Sequence, residues 1–370
     1  MSAAPRKTAV LLGAGHAHLQ IIQAGRRFSD RGHRLVVVAP RNFFYSGLAT
    51  GVLGGEYEPA LDRVDVAALA ARCGAEFVEG RAAGLDRQGR VLRLEDGATV
   101  SYDALSINLG SAPPPIAGDD DPSAYCVKPI PRLFDLRRDL EADFRAGLAP
   151  RVVVAGGGAT AAEIAANICG LAGRRGARVD ITLAAAGAPL AQMPRGAAHA
   201  LLDNFARRGI VVRTDYRVTR LAEGMAIAES GETLPFDRFV NATGLHPRSL
   251  PDGADLLVGE DGAMAVDRNL RSPGDPRIHG GGDGVAVEGH ALPRIGVYAI
   301  RQAPILLDNL LASLDGTPAT AFRPQRRYLW IVNLGNGTAL AMRGRFWWRG
   351  RLAFRLKDWI DRRFLKSLQF

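Results

Sequence analysis

Residues 8–25 read TAVLLGAGHAHLQIIQAG, and residues 151–168 read RVVVAGGGATAAEIAANI. Each stretch begins with a short apolar run typical of a buried parallel strand, continues through a glycine-rich turn and then takes a helical pattern. In such a turn the glycines let the backbone approach a pyrophosphate, and the helix start supplies unpaired N–H groups and a partial positive charge. The two stretches therefore predict an α/β fold with two Rossmann-like dinucleotide-binding domains.

The first turn contains Gly13 and Gly15, and the apolar run at residues 35–38 completes a β-α-β unit. His18 stands where a third small residue generally allows the helix to pack closely. The second strand ends at Ala39, where an acid generally holds a ribose. One such turn alone is weak support for a nucleotide site, because a glycine-rich turn between strand and helix can bind nothing.

The second turn fits the pattern more closely, with three glycines at 156–158 and small Ala161 or Ala162 for helix packing. VDITL at residues 179–183 completes its β-α-β unit. Hydride transfer requires a flavin and a nicotinamide ring to meet, so two such sites in one chain predict a flavoprotein that also binds a nicotinamide nucleotide.

The identity of that nicotinamide stays open between NADH and NADPH. The segment AAAGAPLAQMP after the second strand offers no acid to hold a ribose 2′-hydroxyl. Arg174, Arg175 and Arg195 are candidates to bind a 2′-phosphate instead.

Charge and tryptophan are concentrated at the end of the chain. Residues 321–370 carry twelve basic and two acidic side chains, whereas the whole chain has a net charge of +9. The body is therefore nearly neutral, which argues against a nucleic-acid-binding protein. All four tryptophans also lie there: Trp330, Trp347, Trp348 and Trp359.

Cysteine use and hydropathy exclude further classes. Three cysteines with no CxxC and no His/Cys cluster predict neither disulfides nor a metal site. No apolar run reaches the roughly 18 residues that a membrane-spanning helix needs, and no signal peptide is apparent before the first strand.

Three further motifs follow in order: YDALSINLGS (102–111), FVNATGLHP (239–247) and IHGGGDGVA (278–286). With the two glycine turns, this order resembles the pyridine nucleotide-disulfide oxidoreductase superfamily, whose members have the two-domain fold of glutathione reductase. The resemblance implies FAD in the first domain and NADH or NADPH in the second, with the Asp283 carboxylate bonded to ribityl hydroxyls. The implied cofactor-binding residues are Gly13, Gly15, His18, Ala39, Arg41, Gly110, Gly156, Gly158, Ala161, Thr243, Gly244, Gly282, Asp283, Gly296 and Val297.

Other motifs resemble one branch of that superfamily. GAGHAHL (13–19), YSGLATGVLGGEY (45–57), VKPIPRL (127–133), GVYAIRQAP (296–304) and the tail are similar to type II NADH:quinone oxidoreductases. They are most similar to the flavoprotein module sometimes fused to bacterial selenide, water dikinase. This resemblance implies electron transfer from NAD(P)H through FAD to a quinone without a metal, with Tyr298, Arg301 and Gln302 at the quinone entrance.

Two alternative functions stay open. Cys126 is a candidate for the flavin-flanking cysteine of a sulfide:quinone-type oxidoreductase, whereas the absence of CxxC excludes a disulfide reductase. A protein with an inactive second nucleotide site would be a flavin-binding, membrane-associated partner without nicotinamide turnover. A homodimer is possible in either case.

Glu163 and Lys128 are the candidate catalytic residues. Glu163 follows the second glycine turn by five positions, so it lies at the start of a helix directed at the nicotinamide and flavin, where a carboxylate can relay a proton. An acid favoured by the helix dipole is the alternative reading. Lys128 is a candidate cation near the flavin's reducible edge, or else a solvated loop lysine.

The predicted domains are an FAD domain (1–112 and 250–320), a nicotinamide domain (113–249) and a C-terminal region (321–370). In the last, a β-hairpin precedes an amphipathic helix at 351–368. Tryptophan and cations favour the headgroup level of an anionic membrane, so the helix predicts docking to a membrane rather than packing on the body. We expect a peripheral protein on the cytoplasmic face of a bacterial inner membrane. Its predicted apolar face is Leu352, Leu356, Trp359, Ile360, Phe364 and Leu368, opposite Arg351, Arg355, Asp358, Asp361, Arg362 and Lys366.

Overall fold

Helices and strands alternate along most of the chain in the computed structural model, which describes residues 6–369. The helices are α1 (His16–Gln23), α2 (Arg26–Ser29), α3 (Ser46–Leu53), α4 (Val66–Arg72), α5 (Pro131–Arg145), α6 (Ala159–Arg175), α7 (Arg195–Arg207), α8 (Gly296–Asp315) and α9 (Arg351–Gln369). The strands are β1 (Thr8–Leu12), β2 (Arg34–Ala39), β3 (Asn42–Phe44), β4 (Arg63–Asp65), β5 (Glu76–Glu79), β6 (Ala82–Asp86), β7 (Val91–Leu94), β8 (Thr99–Ser101), β9 (Ala104–Ile107), β10 (Ser111–Ala112), β11 (Ala124–Cys126), β12 (Arg151–Ala155), β13 (Asp180–Ala184), β14 (Val211–Arg213), β15 (Val218–Ala222), β16 (Met225–Ala228), β17 (Thr233–Pro235), β18 (Arg238–Asn241), β19 (His246–Pro247), β20 (Met264–Val266), β21 (Arg271–Ser272), β22 (Asp275–Gly280), β23 (Val285–Val287), β24 (Leu329–Asn333), β25 (Ala339–Arg343) and β26 (Phe346–Gly350).

A six-stranded sheet with the order β21-β22-β9-β1-β2-β5 contains the first glycine turn. Strand β1 lies at its centre and pairs in parallel with β2 and β9, with Leu11 opposite Val37. The apolar strand residues are buried because α1 and α8 cover the sheet. Strand β22 brings the chain back from residue 275 to pair with β9, which places the GGGDG motif beside the first turn.

A five-stranded parallel sheet with the order β11-β18-β12-β13-β14 contains the second glycine turn. Helix α6 leaves the turn after β12 and is almost wholly buried along its apolar side. One mainly parallel and one wholly parallel sheet, each with a glycine turn and a following helix, confirm the predicted α/β class with two Rossmann-like units. The boundaries of the three predicted domains stay a prediction.

Residues 91–102 alternate with a period of two around Asp96-Gly97, a pattern that predicts a hairpin, and the structure confirms it. Strands β7 and β8 pair antiparallel with Leu92 opposite Val100, and Gly97 in the turn has φ +86°. With β6 they form a small three-stranded sheet, and β15, β16 and β17 form another.

The C-terminal region contains one more strand than predicted. Strands β24 and β25 form the expected hairpin, and β26 adds a third antiparallel strand with Trp348 opposite Ala341. The hairpin turn lies against α6, because a Cβ at Gly335 would come within 2.5 Å of the Ala166 carbonyl oxygen. Helix α9 begins directly after β26.

The prediction of which face of α9 is apolar was wrong in part. The helix packs on the body through Ala353, Leu365 and Leu368, whereas Leu352 and Trp359 are exposed. Asp361, predicted on the polar face, is buried. Helical periodicity identifies a side rich in apolar residues, but the partners on the body decide which side is covered. Within residues 6–369 no helix has the length and apolar composition needed to cross a bilayer.

Candidate active site

A cleft of about 1600 Å³ extends from the carboxyl ends of β1 and β2 to the C-terminal sheet and helix α9. Its walls come from the six-stranded sheet, from the segment that follows β11, from the start of α6 and from the C-terminal region. Carboxyl ends of parallel strands are the usual place for ligands in α/β proteins, because the glycine turns and helix starts meet there. Of the predicted site residues, those that line the cleft are Gly13, Gly15, Ala39, Arg41, Gly110, Lys128, Glu163, Gly282, Asp283, Gly296 and Val297.

The first glycine turn has the geometry of a phosphate cradle. Gly13 has φ +86°, and a Cβ there would lie 2.3 Å from the carbonyl oxygen of Asn108. Gly15 precedes α1 and provides no side chain to cap the free N–H groups of its first turn. The Asn108 side-chain nitrogen is buried and has no partner within the described chain. Free donors around a turn that excludes any side chain fit a bound pyrophosphate.

His18 supports this turn from beneath and does not line the cleft. One ring nitrogen lies 2.6 Å from the Gly13 carbonyl oxygen, and the other lies 2.8 Å from the Ser106 hydroxyl. Burial lowers the pKa of His18 to about 4, so the ring is neutral. The predicted direct contact with cofactor is therefore replaced by a structural role that holds the turn in place.

Asp283 and Lys128 form an ion pair at the middle of the cleft. The Lys128 ammonium donates to Oδ2 of Asp283 at 2.8 Å and to the Ser111 hydroxyl at 2.9 Å. Burial alone would raise the pKa of Asp283, but Lys128 and Ser111 more than offset it and the pKa lies below its ordinary value. The carboxylate is therefore charged, and Oδ1 makes no hydrogen bond within residues 6–369, so it is available to a ligand hydroxyl.

Glu163 lies in the wall of the cleft that faces the C-terminal sheet. Its Oε1 accepts from the Thr50 hydroxyl at 3.0 Å and from the Asn333 backbone N–H at 2.9 Å. Burial raises the pKa of Glu163 above its ordinary value, although Lys357 and these two donors lower it in part. The arrangement gives a carboxyl group that keeps a proton more readily than an exposed glutamate.

The α9 contribution to this wall was not predicted. Lys357 lines the cleft and donates to Asp361 at 2.6 Å and to the Gly47 carbonyl oxygen. Burial alone would lower the pKa of Lys357, but the carboxylates of Asp361 and Glu163 more than offset it and raise the pKa. The (i, i+4) spacing of Lys357 and Asp361 was the available signal, although that spacing usually marks an exposed pair.

His16 is a second residue that the sequence reasoning missed. It follows Gly15, lines the cleft and stacks on Phe364 of α9 with a ring-centre distance of 6.1 Å. Its other ring neighbours are Phe43 and Tyr45. Burial lowers the pKa of His16 to about 4. Its position directly after the glycine turn was the available signal.

The second glycine turn lies at the carboxyl end of its own sheet. Gly156 has φ +143°, and a Cβ there would lie 2.2 Å from the Ala242 carbonyl oxygen. Gly158 precedes α6 without a side-chain cap, and a Cβ there would approach only the Gln192 side chain, at 3.3 Å. Ala161 is fully buried under the turn. This turn therefore also leaves space for a pyrophosphate at a helix start.

Thr243 and Gly244 follow β18, beside this second turn, and neither lines the large cleft. The Thr243 hydroxyl donates to the Asn241 side chain at 2.8 Å, and Gly244 has φ +137°. The prediction that Thr243 and Gly244 contact a cofactor therefore applies to the nucleotide at the second turn.

Two of the arginines suggested for a 2′-phosphate lie at the wrong end of α6. Arg174 bonds the Gly54 and Gly335 carbonyl oxygens at its C-terminal end, and Arg175 bonds Glu141. Proximity in sequence misled here, because a helix of this length carries its last turn far from the nucleotide. Arg195, at the start of α7, is exposed.

The predicted quinone-entrance residues do not line the cleft. The Tyr298 hydroxyl donates to the Gln325 carbonyl oxygen at 3.2 Å, and Arg301 is exposed. The Gln302 side chain accepts from the Gly282 N–H at 2.7 Å and so holds the GGGDG turn. Helix α8 presents Gly296, Val297 and Ala299 to the cleft, and the other three residues lie on its remaining sides.

None of the three cysteines lines the cleft. Cys126 donates to the Lys128 carbonyl oxygen at 3.0 Å, and burial raises the pKa of its thiol. Within residues 6–369 no group of three His, Cys, Asp or Glu side chains is arranged to hold a metal ion.

Two phosphate cradles at the ends of two parallel sheets define an oxidoreductase of the class that binds two dinucleotides. A model of the pyridine nucleotide-disulphide oxidoreductase family matches residues 7–303, and the chain belongs to this family. Members of the family bind FAD and NAD(P)H, which confirms the two predicted cofactors.

Among curated proteins, the chain is 29% identical over 342 residues to a probable ferredoxin reductase, CtmF, of Castellaniella defragrans. That match covers 87% of this chain and 78% of the relative. The fold of this chain is similar to that of the sulfide:quinone oxidoreductase of Aquifex aeolicus, with a TM-score of 0.84 and 17% identity. The match covers 98% of this chain and 91% of that structure's chain. The fold is also similar to that of a ferredoxin reductase of Rhodopseudomonas palustris, with a TM-score of 0.76, 19% identity and coverage of 92% and 82%.

Proposed function

We propose that the chain passes electrons from NADH or NADPH through FAD to a quinone at a membrane surface. The observation that carries this proposal is the continuity of the cleft. From the flavin cradle it continues to an apolar compartment with Glu163 and Lys357 in its wall. Apolar lining is supplied there by Phe44, Ile130, Leu133, Leu329, Trp330 and Ile331. An apolar compartment with a few polar groups suits a quinone ring.

FAD, when bound, supplies the two-electron chemistry that joins the donor to the acceptor. The first cradle would hold it through Gly13 and Gly15 at the pyrophosphate and through Asp283 at the ribityl hydroxyls. Asn108 offers its unpaired side-chain nitrogen beside the same turn.

We assign Glu163 the role of proton donor at the acceptor end of the cleft, because burial raises its pKa above the ordinary value. Both of its hydrogen bonds go to Oε1, so Oε2 is the oxygen that can carry the proton toward the compartment. A quinone takes up two protons when it receives two electrons, and a positioned carboxyl group is a suitable donor. The Lys357 ammonium lines the same compartment, where a cation stabilises negative charge that develops on a quinone oxygen.

The C-terminal surface favours a lipid-soluble acceptor. Strand β26 and α9 expose large apolar side chains, of which Phe346 is 81%, Leu352 73% and Trp359 58% exposed. Trp347 and Trp348 are also exposed. We call these five residues the docking surface. Arg345, Arg349, Arg351, Arg355 and Arg363 of the same C-terminal segment are also exposed, and the Arg363 guanidinium lies over the Trp359 ring. Aromatic side chains together with cations suit the interface of an anionic membrane, which we take to be the cytoplasmic face of a bacterial inner membrane.

The resemblance to type II NADH:quinone oxidoreductases and to the kinase-fused module agrees with this proposal. Sulfide:quinone chemistry is less well supported, because Cys126 lies outside the cleft and its thiol has a raised pKa. A reactive thiolate requires the opposite shift.

The two halves of the reaction can be tested separately by anaerobic stopped-flow spectroscopy of the flavin-loaded protein. NADH or NADPH is expected to bleach the flavin, and a short-chain quinone to restore its colour. Glu163→Gln should leave bleaching unchanged and slow the quinone step by roughly 100-fold. This factor is the lower end of the rate loss expected when a positioned general acid is removed.

Gly158→Val provides the matched control for the donor half. A Cβ at Gly158 would approach only the flexible Gln192 side chain, at 3.3 Å, so a small shift of Gln192 accommodates the valine. The valine side chain would then occupy the place of the pyrophosphate. Flavin should stay bound while bleaching is lost. Bleaching of the flavin by sulfide but not by NADH or NADPH, failure of the quinone to restore the flavin colour, or an unchanged quinone step in Glu163→Gln would overturn the assignment.

A further inference from the structure

The adenosine end of the first cradle lacks the acid that generally holds a ribose. Strand β2 ends at Ala39 and is followed by Pro40 and Arg41, where a β-α-β dinucleotide site usually has Asp or Glu. The Arg41 guanidinium is engaged with Asp65 at 3.2 Å. The end of β2 would therefore offer no carboxylate to the ribose hydroxyls of a dinucleotide held by this turn.

Glu79 lies on the neighbouring strand at the same level. It is the last residue of β5, and the parallel register pairs it directly with Ala39. Adjacent strands are about 4.8 Å apart and paired residues leave the same face, so a glutamate on β5 reaches the space that an acid on β2 would occupy. Glu79 lines the cleft together with Ala39.

The Glu79 side chain is exposed to the cleft, and no cation within residues 6–369 lies within 4 Å of its carboxylate. Glu76, at the start of the same strand, differs from Glu79 because it has a cationic partner. Glu76 is bound by Arg34 at 2.5 Å and takes part in strand pairing at the far end of the sheet. Glu79 thus has no structural partner that accounts for its charge at this position.

Among the described residues, two other acids line this end of the cleft, Asp252 and Glu95. Asp252 exchanges backbone hydrogen bonds with Ala83 and Leu85. Glu95 follows β7 in the small three-stranded sheet, and its backbone N–H bonds the Arg81 carbonyl oxygen at 3.0 Å. Glu95 does not belong to the sheet that contains β2 and β5, so it is not in register with Ala39. It therefore serves as the control for an effect that depends on this register.

We infer that Glu79 binds the ribose hydroxyls of the adenosine moiety of FAD, in place of the missing acid on β2. The carboxylate accepts from the 2′- and 3′-hydroxyls, and its charge also disfavours a nucleotide with a phosphate at that position. This inference concerns the cofactor and does not depend on which acceptor the reduced protein uses.

The test is a titration of the FAD-free protein followed by quenching of flavin fluorescence. Glu79→Gln should bind FAD about tenfold more weakly, as expected for the loss of charge-assisted hydrogen bonds. It should bind an FAD analogue with 2′,3′-dideoxyribose in its adenosine moiety as well as the unsubstituted protein does. Glu95→Gln should bind both ligands unchanged.

Three results would overturn the inference: unchanged FAD affinity in Glu79→Gln, an equal loss for FAD and the dideoxy analogue, or a loss in Glu95→Gln that matches it. Thermal unfolding of the FAD-free variants checks that the exposed substitutions leave the fold intact. Because the readout is binding alone, failure of the quinone proposal leaves this result unaffected.

Discussion

At the scale of single residues, the proposed quinone reduction depends on the protonation state of the Glu163 carboxyl group. The structure holds Oε1 of Glu163 with two donors, and Oε2 makes no hydrogen bond within residues 6–369. The sequence predicted this glutamate because it follows a recognisable turn. It did not predict the contacts with Thr50 and Asn333, since these residues are 113 and 170 positions away along the chain and nothing in their motifs indicates a contact with Glu163.

Thr50→Val should move the pH dependence of quinone reduction. The Thr50 hydroxyl stabilises the charged form of Glu163 and so lowers its pKa, and removing the hydroxyl raises that pKa further. Quinone reduction requires the protonated form, so activity is lost as pH rises through the pKa. The alkaline limb of the rate profile should therefore shift to higher pH, by about one pH unit for the loss of one hydrogen bond to a charged group.

The profile is measured with a short-chain quinone under saturating NADH or NADPH. Thr50→Ser retains the hydroxyl and should keep the original limb. A shift toward lower pH, or no limb dependent on Glu163, would contradict the assigned role.

At the scale of elements, α9 belongs to the body as well as to the surface. Leu365 and Leu368 join the main hydrophobic core, while Phe364 packs on Tyr45 with a ring-centre distance of 4.9 Å and on His16 beside the flavin cradle. The Tyr45 hydroxyl donates to Asp361 at 2.9 Å. Removing the helix would therefore uncover the core, so point substitutions are the appropriate probe of its separate roles.

Phe364→Ala should weaken flavin retention as well as stability. The substitution removes a half-buried ring that packs on His16, and we expect it to cost about 2 kcal/mol, below the range for a fully buried phenylalanine. Flavin release on heating, followed by fluorescence, should begin several degrees earlier than in the unsubstituted protein. Trp359→Ala, on the exposed side of the same helix, is the matched control and should release flavin at the original temperature. Equal behaviour of the two variants would remove the connection between α9 and the cradle.

At the scale of the whole molecule, the sequence predicted what is encoded locally. Both glycine turns, their flanking strands and the Asp96-Gly97 hairpin depend on neighbouring residues, and all occur in the structure. The α9 face was wrong in part and the assignments of Arg174 and Arg175 were wrong, because each depends on contacts between distant segments. Lys357 reaches the cleft only because α9 lies across Gly47, which no periodicity in the sequence indicates.

Most of the excess positive charge and the exposed tryptophans belong to the C-terminal region. We therefore propose that the side of the molecule with the docking surface faces the membrane. Each cation near an anionic surface contributes about 1 kcal/mol, and burial of a leucine or aromatic side chain contributes about 1.5–3 kcal/mol. Leu352→Glu combined with Trp359→Glu reverses both contributions on the exposed side of α9. The double variant should bind vesicles containing anionic lipid at least tenfold more weakly in a co-sedimentation assay.

The same double variant should lose most of its activity with a long-chain quinone in vesicles and keep its activity with a water-soluble quinone, because neither substituted residue lines the cleft. Leu148→Glu is the matched control, since Leu148 is also exposed, at 57%, but follows α5 outside the C-terminal region. Binding of the unsubstituted protein should also fall as salt screens the arginines. Equal vesicle binding by the double variant and the Leu148 variant would show that the docking surface serves another partner.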